Sequence, residues 1–359
     1  FTRGLSMEGK NNIVIQGAGV EATILSFKGQ KEGAQGFLIN NGYGITLSNF
    51  TIEDAKGDNL KISEVNGLTL RNLRSRWTAE EPTSSNGAYA FYPVLCTNVL
   101  IEYCEAVGSS DAGIYVGQSD SVVIRNNKAW NNVAGIESEN SRWVEIYDNE
   151  AYDNSGGLLV FDLPGLTQYG HSTKVYRNSI HDNNFPNFAT PGNVVAGIPP
   201  GTGIMILATH DLEMFENTLV NNRTVGTGIV SYDLVAALQE EVEQPAAGEG
   251  GVQTVQNNYK LDTLYNPYPY KIFIHHNKYE NDFWFPTLEN DIGWLFLFKS
   301  FLNTPDIAYD GILPPDRAPE ICLSENSGVN NFLVLDAAND FNGLTKNPTG
   351  YQCTSTNQQ

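Results

Sequence analysis

The chain has 359 residues, 41 acidic against 21 basic, for a formal net charge of -20 with only 17% of residues charged. With no basic stripe to neutralise phosphates, that balance excludes nucleic acid and anionic membrane as partners. No run of 18 apolar residues is present to span a bilayer.

From the N-terminus onward one short phrase returns eight times: two alternating apolar residues, two or three polar ones, then a fixed slot that becomes asparagine. It reads Ile45-Thr-Leu47-Ser-Asn-Phe50, Leu68-Thr-Leu70-Arg-Asn-Leu73, Val99-Leu-Ile101-Glu-Tyr-Cys104, Val122-Val-Ile124-Arg-Asn-Asn127 and Val144-Glu-Ile146-Tyr-Asp-Asn149. It continues as Thr173-Lys-Val175-Tyr-Arg-Asn178, Leu212-Glu-Met214-Phe-Glu-Asn217 and Ile272-Phe-Ile274-His-His-Asn277, with a degenerate copy at Ile13-Val-Ile15-Gln-Gly-Ala18. The slots lie 23, 31, 23, 22, 29, 39 and 60 residues apart, so a unit of 22 or 23 residues is interrupted by insertions of variable length. That is a solenoid signature.

A period of two belongs to strands, and the unit is too short for a helix pair. Each unit also carries an upstream strand, as in Asn59-Leu-Lys-Ile-Ser63, Gly113-Ile-Tyr-Val-Gly117, Gly135-Ile-Glu-Ser-Glu139, Gly157-Leu-Leu-Val-Phe161, Gly203-Ile-Met-Ile-Leu207 and Gly228-Ile-Val-Ser-Tyr232. The pattern predicts an all-β parallel β-helix whose rungs stack at ~4.8 Å. Asn127, Asn149, Asn178 and Asn217 then form one hydrogen-bonded column, with Phe50, Leu73 and Cys104 filling the same bend in earlier coils.

At this point the chain resembles the right-handed parallel β-helix superfamily of pectate-lyase-like proteins. The runs Ser110-Asp-Ala-Gly-Ile-Tyr-Val-Gly-Gln-Ser119 and Gly156-Gly-Leu-Leu-Val-Phe-Asp-Leu-Pro-Gly165 are similar to an exported bacterial branch of β-helix-repeat proteins. The resemblance implies a periplasmic, cell-surface or secreted protein, and a branch often encoded beside a dihaem c-type cytochrome, hence a cytochrome as partner. The start at Phe1 without a signal peptide predicts a mature, already processed polypeptide.

Three stretches follow in chain order. Residues 1–235 are the regular coils. Residues 236–270 are a flexible insertion, acidic at Glu240-Glu-Val-Glu243 and glycine-rich at Ala246-Ala-Gly-Glu-Gly-Gly251. Residues 271–359 hold the last coil, ending near Glu280, then a C-terminal cap at Asp291–Phe301 and a tail in which Cys322 and Cys353 are expected to form a disulfide. Cys96 and Cys104 are read as two buried thiols. Without Cys-x-x-Cys-His the chain holds no haem of its own.

Aligning the upstream strands on their inward Ile or Leu gives two outward columns. One runs Lys61, Tyr92, Tyr115, Glu137, Leu159, Met205, Val230; the other runs Ser63, Val94, Gly117, Glu139, Phe161, Leu207, Tyr232. The loops 76–86 and 182–200 would wall a groove across them, suited to sugar rings that pack on aromatics and present hydroxyls to carboxylates. Trp77, Gln118, Phe161, Asp162 and His171 are the expected substrate contacts.

Glu137 and Glu139 point outward from one strand, about 7 Å apart at the backbone, close enough to share a hard cation such as calcium with Asp111. The pair resembles the Glu-x-Glu calcium motif of alginate-lyase and chondroitinase-B type lyases, which also use a lysine and a following arginine. Arg142 follows here, while lysine is absent from that neighbourhood. Two solvated glutamates, and a turn-capping Asp111, are the bland alternatives. Lys61, Tyr92 and Tyr115 are the remaining candidates for proton abstraction; Lys61 lies three rungs from Glu137, roughly 14 Å. A glycosidase pair of Glu137 or Glu139 with Asp162 is a further option. Two functions fit: a carbohydrate-active enzyme, lyase or epimerase, on an acidic polysaccharide, or a non-catalytic β-helix that binds a glycan or a protein.

Overall fold

The computed structural model describes residues 1–240, 259–283, 286–288, 294–296, 298, 304–314 and 317–353. Alternation of apolar and polar residues produces short strands, and each strand pairs in parallel with its equivalent one coil away. Three sheets run along the solenoid. The first contains Tyr89–Val94, Ala112–Gly117, Ala134–Glu139, Gly156–Phe161, Thr202–Leu207 and Val225–Val230. The second contains Thr97–Glu102, Asp120–Arg125, Arg142–Tyr147, His171–Tyr176, His210–Phe215 and Tyr270–His275. The third is narrow, with Lys128–Trp130, Glu150–Tyr152, Ser179–His181 and Thr218–Val220 among its strands. Toward the N-terminus Glu32–Glu53 and Leu60–Arg76 each run through all three sheets without a break.

The degenerate first copy is real, since Ile13 and Ile15 pair with Ile45 and Leu47. Inward residues stack into one continuous core: Leu60, Phe91, Ile114, Ile136, Leu158 and Ile204 form one file, and Leu70, Ile101, Ile124, Ile146, Val175 and Met214 another. Each such Leu or Ile contributes on the order of 1.5–3 kcal/mol by leaving water.

The asparagine column is present and longer than expected. Asn127 donates both its backbone N–H and its side-chain amide to Asn149 Oδ1, and the pattern repeats from Asn149 to Asn178, Asn217, Asn277 and Asn326. Cys104 begins it by donating its N–H to Asn127 Oδ1 at 2.9 Å. A second column stands at the next corner, where Asn132, Asn154, Asn183 and Asn222 bond in the same way. Buried corners leave backbone groups that need partners, and the stacked amides supply them.

Four expectations need correction. The sequence alignment set Val230 beside Met205, whereas Met205 pairs with Gly228 and Leu207 with Val230. Gly226 is the true counterpart of Gly203: a Cβ on either would strike backbone of the next coil, so the register shifts by two and Thr227 takes the inward place. The succession of coils is also interrupted after Val230, where Tyr232–Glu240 is an α-helix, so residues 232–235 are not coil. Within the expected insertion, Ala236 at one end and Tyr259 and Tyr265 at the other pack into a second apolar core on the first sheet; Glu241–Glu243 and the glycine-rich run lie outside the described residues. Finally, the coil does not stop near Glu280. Ile321–Ser324 adds to Ile272–His275, and Ile307–Tyr309 and Phe332–Val334 add to the first sheet.

Cys322 sits in one of those added strands and is bonded to Cys353, with Cα atoms 5.5 Å apart. Cys96 and Cys104 are buried free thiols. In the expected cap, Trp294–Phe296 and Phe298 are helical, and Phe296 packs on Leu333 and Leu335; the rest of 291–301 lies outside the described residues. Among the described residues no helix is long and apolar enough to cross a membrane.

Candidate carboxyl and tyrosine site

The outer face of the first sheet is where the columns of the sequence converge. Lys61 pairs with Tyr92, Glu137 stands between Tyr115 and Leu159, and Glu139 stands between Gly117 and Phe161. Those columns are not an open groove along their whole length. Residues 163–166, 188–198, the helix from Tyr232 and Tyr259–Tyr265 fold onto the upper coils and bury Leu159, Phe161 and Leu207 in a second apolar core. The greasy end of the face is greasy because it is interior.

At the edge of that cover lies a cluster of three carboxyl groups and three tyrosines. Tyr115 donates its hydroxyl to Glu139 Oε1 at 2.8 Å. Tyr89 donates to Asp111 Oδ2 at 3.3 Å, and Asn193, from the covering insertion, donates to the same oxygen at 3.2 Å. The rings of Tyr89, Tyr92 and Tyr115 contact one another with centroids 4.4 to 4.9 Å apart. Glu137 is 2% exposed, and its Oε2 is buried without a hydrogen-bond partner. Glu139 is half-buried and forms the lip, together with Tyr89, Tyr92 and Lys61.

Burial governs the electrostatics. Asp111 and Glu139 are pushed up to about 7 by loss of hydration; Glu139 adds to the rise at Asp111, and the Tyr115 hydrogen bond partly offsets it at Glu139. Glu137 is raised well above the ordinary carboxylate range by burial and then by Asp111 and Glu139. Among the described residues no Lys or Arg forms an ion pair with the three, and Lys61 lies over the Tyr92 ring at 4.5 Å from its centroid. Tyr115 and Tyr92 are also raised, chiefly by burial. Their hydroxyls are therefore donors at neutral pH and not ready bases. The least buried of the three carboxyl groups is Glu139 at the lip, held by the Tyr115 hydroxyl.

The remaining candidates are placed elsewhere. Trp77 is 8% exposed and donates its indole N–H to the Ala55 carbonyl at 2.9 Å; its side chain belongs to the main core, while residues 78–81 and 83–85 after it are exposed. Phe161 is buried in the second core. Asp162 is buried and accepts the Gly170 N–H at 2.8 Å, closing the base of the 163–170 loop. Gln118 holds the same loop by accepting from the Thr167 N–H and hydroxyl. Arg142 and His171 pair with each other in the second sheet, around the bend from Glu137. Arg142 donates to the Tyr169 carbonyl at 3.2 Å, and His171, lowered by burial and then by His210, stacks on His210.

Tyr89, Asn193 and Gly117 are site residues that sequence reasoning missed. Tyr89 lies three positions before Tyr92 on the same strand, and a Gly117 Cβ would collide with the Tyr115 hydroxyl, so only glycine there lets Tyr115 reach Glu139. Among the described residues no three His, Cys, Asp or Glu side chains converge as a ligand set for a metal ion.

Residues 4–167 match the family model described as "Right handed beta helix region". The chain is a right-handed parallel β-helix protein. Among solved structures it is similar to the A-modules of the mannuronan C-5 epimerases AlgE4 and AlgE6 of Azotobacter vinelandii. Identities are 13% and 12%, over 89% of this chain and 80% and 79% of theirs, with TM-scores of 0.48 and 0.49. It is also similar to the catalytic unit of a GH87 alpha-1,3-glucanase from Streptomyces thermodiastaticus, at 12% identity over 89% of this chain and 48% of that one, with a TM-score of 0.45. No curated protein sequence matches the chain.

Proposed function

We propose that this β-helix is an exported carbohydrate-active protein whose proton-transfer group is Glu139, positioned by Tyr115. One observation carries the reading: a half-buried carboxyl at the lip of the cluster, hydrogen-bonded by a buried tyrosine and raised by burial to about 7, exchanges between protonation states near neutral pH. Such a group can give a proton to a glycosidic oxygen or take one from a sugar ring carbon. Tyr89 and Tyr92 at the lip offer ring faces and hydroxyls to a sugar.

The uncompensated carboxyl groups beneath Glu139 disfavour a uronate at that point, so an acidic polysaccharide would have to present a neutral part of itself there. Lyase chemistry with a tyrosine base is less well supported than carboxyl chemistry, since burial holds Tyr92 and Tyr115 protonated. The Cys322–Cys353 disulfide suits an oxidising compartment. The c-type cytochrome as partner, and a purely glycan- or protein-binding role, rest on the family resemblance alone.

A second reading places calcium at Glu137, Glu139 and Asp111. The partnerless Glu137 Oε2 favours it, since a cation would satisfy that oxygen; a proton on Glu137 removes its charge as well, and no step is assigned to the ion.

The test incubates wild type and Glu139→Gln with alginate, pectate, glycosaminoglycan and neutral glucan. Reducing ends, unsaturated-product absorbance and deuterium uptake into the polymer report hydrolysis, elimination and epimerisation in turn. Activity lost in Glu139→Gln supports the reading; a wild type silent in all three assays across the panel would sink it.

A further inference from the structure

Beyond the first sheet, the second sheet carries a repeated corner at which every coil must enter the left-handed region. Asn12, Gly44, Gly67, Asn98, Ser121, Trp143, Ser172, Asp211 and Lys271 occupy it in register, each with φ between 49° and 80°. Glycine and small polar residues suit that conformation, and a bulky aromatic does not. Seven of the nine coils carry Gly, Asn, Ser or Asp there and one carries Lys271, so a single coil places an aromatic ring at the corner. The exception is Trp143, at φ 50°.

Packing does not explain the exception. Trp143 is 55% exposed. Its ring contact among the described residues is His171, at 5.1 Å between centroids and an interplanar angle of 83°. An edge-to-face contact occupies at most one face of the indole. Other aromatics of this sheet behave differently: Tyr147, Tyr176, Phe215 and His275 lie nearly parallel in a face-to-face stack, which covers their faces and supports the coil. Trp143 stands outside such stacking and keeps a flat apolar face toward solvent.

Polar groups suited to hydroxyls surround it. His171 Nδ1 is paired with Ser172 Oγ at 3.0 Å, which leaves Nε2 on the far side of the ring. One coil below, in register with Arg142, Asp120 Oδ1 is buried without a hydrogen-bond partner. Arg142 stands 4.0 Å from that oxygen, too far for a hydrogen bond. An exposed indole face with an imidazole at its edge matches what a pyranose ring brings: C–H groups on one side and hydroxyls at its rim.

We propose that Trp143 is a carbohydrate-stacking subsite, with Arg142 and His171 as its polar rim. The proposal rests on the reading that the ligand is a glycan, but not on the chemistry at Glu139. It places a second sugar contact four residues beyond Glu139 in the same coil, around the bend strapped by residues 163–170.

The experiment measures calorimetric affinity for mannuronate and galacturonate pentamers, cellopentaose and laminaripentaose with wild type, Trp143→Ala, Trp143→Phe and Glu139→Gln. For any pentamer that binds wild type, Trp143→Ala is expected to weaken binding roughly tenfold and Trp143→Phe less, with unchanged circular dichroism. Glu139→Gln should retain binding while losing turnover. Equal affinity of Trp143→Ala and wild type would overturn the subsite and leave the Glu139 reading standing. Binding of none of the pentamers by wild type would overturn the subsite, while the polymer assays above decide the Glu139 reading on their own.

Discussion

The Tyr115 hydroxyl occupies the volume that a side chain on Gly117 would need. Because Gly117 pairs with Glu139 in the next coil, that vacancy is what brings the phenol to the carboxyl. The absence of a side chain at Gly117 thus supplies the hydrogen bond that partly offsets the effect of burial on Glu139.

Gly117→Ala tests this directly. The added methyl displaces Tyr115, Glu139 loses the hydrogen bond that lowers its pKa, and its midpoint should move further upward. Carbon-13 NMR titration of the Glu139 carboxyl measures the shift, and urea unfolding should show a loss of about 1–3 kcal/mol from overpacking. An unmoved midpoint would separate Tyr115 from the proton chemistry.

Stability should fall as pH rises. Asp111 and Glu139 have folded pKa values of about 7 against 3.8 and 4.5 for free carboxyls. Below the lower values both states are protonated; between them and 7 the unfolded chain ionises first and folding is progressively penalised. Glu137→Leu removes a buried carboxyl from the cluster and places a second apolar residue beside Leu159, so it should raise the melting temperature at pH 8 and flatten the pH dependence. Thermal melts from pH 4.5 to 8 decide the matter, and a wild type that gains stability over that range would contradict the proposed protonation.

Calcium separates the two readings of Glu137. With the cluster neutralised by protons, millimolar calcium at pH 6 should leave the melting temperature unchanged, and EDTA should do nothing. A saturable calcium-dependent rise that disappears in Glu137→Leu would establish the cation instead.

The asparagine columns are expected to dominate mid-coil stability. Asn149→Ala leaves the Asn127 N–H and amide without their acceptor and the Ile124 carbonyl without the Asn149 donor. Buried groups stripped of partners cost about 1–3 kcal/mol each, so chemical denaturation should report a loss of at least about 2 kcal/mol. A change under about 0.5 kcal/mol would mean that ordered water replaces the amide.

Much of the fold was legible because a solenoid repeats its physics: the apolar alternation and the asparagine slot recur at fixed places in each unit. The second column was equally available, since Asn132, Asn154, Asn183 and Asn222 each follow a slot asparagine by five residues, but they fall in corners without apolar alternation to draw the eye. The site was half legible. Strand register placed Tyr115, Glu137 and Glu139 together, whereas the burial of Phe161 and the Asn193 contact to Asp111 depend on how long insertions fold back. No period encodes that. Trp77 misled for a related reason: an aromatic in a polar loop reads as exposed unless the inward placement of its side chain is known.

The amide columns run in one sense, each asparagine accepting from the coil before it and donating to the coil after. Every coil from Asn127 to Asn217 therefore ends in the same chemical socket and begins with the same plug. A duplicated stretch of residues 128–149, set after Asn149, would find its donors and acceptors already waiting on both sides. The body of this protein can in this way be lengthened by whole turns, each new turn bringing its own copy of Glu137 and Glu139.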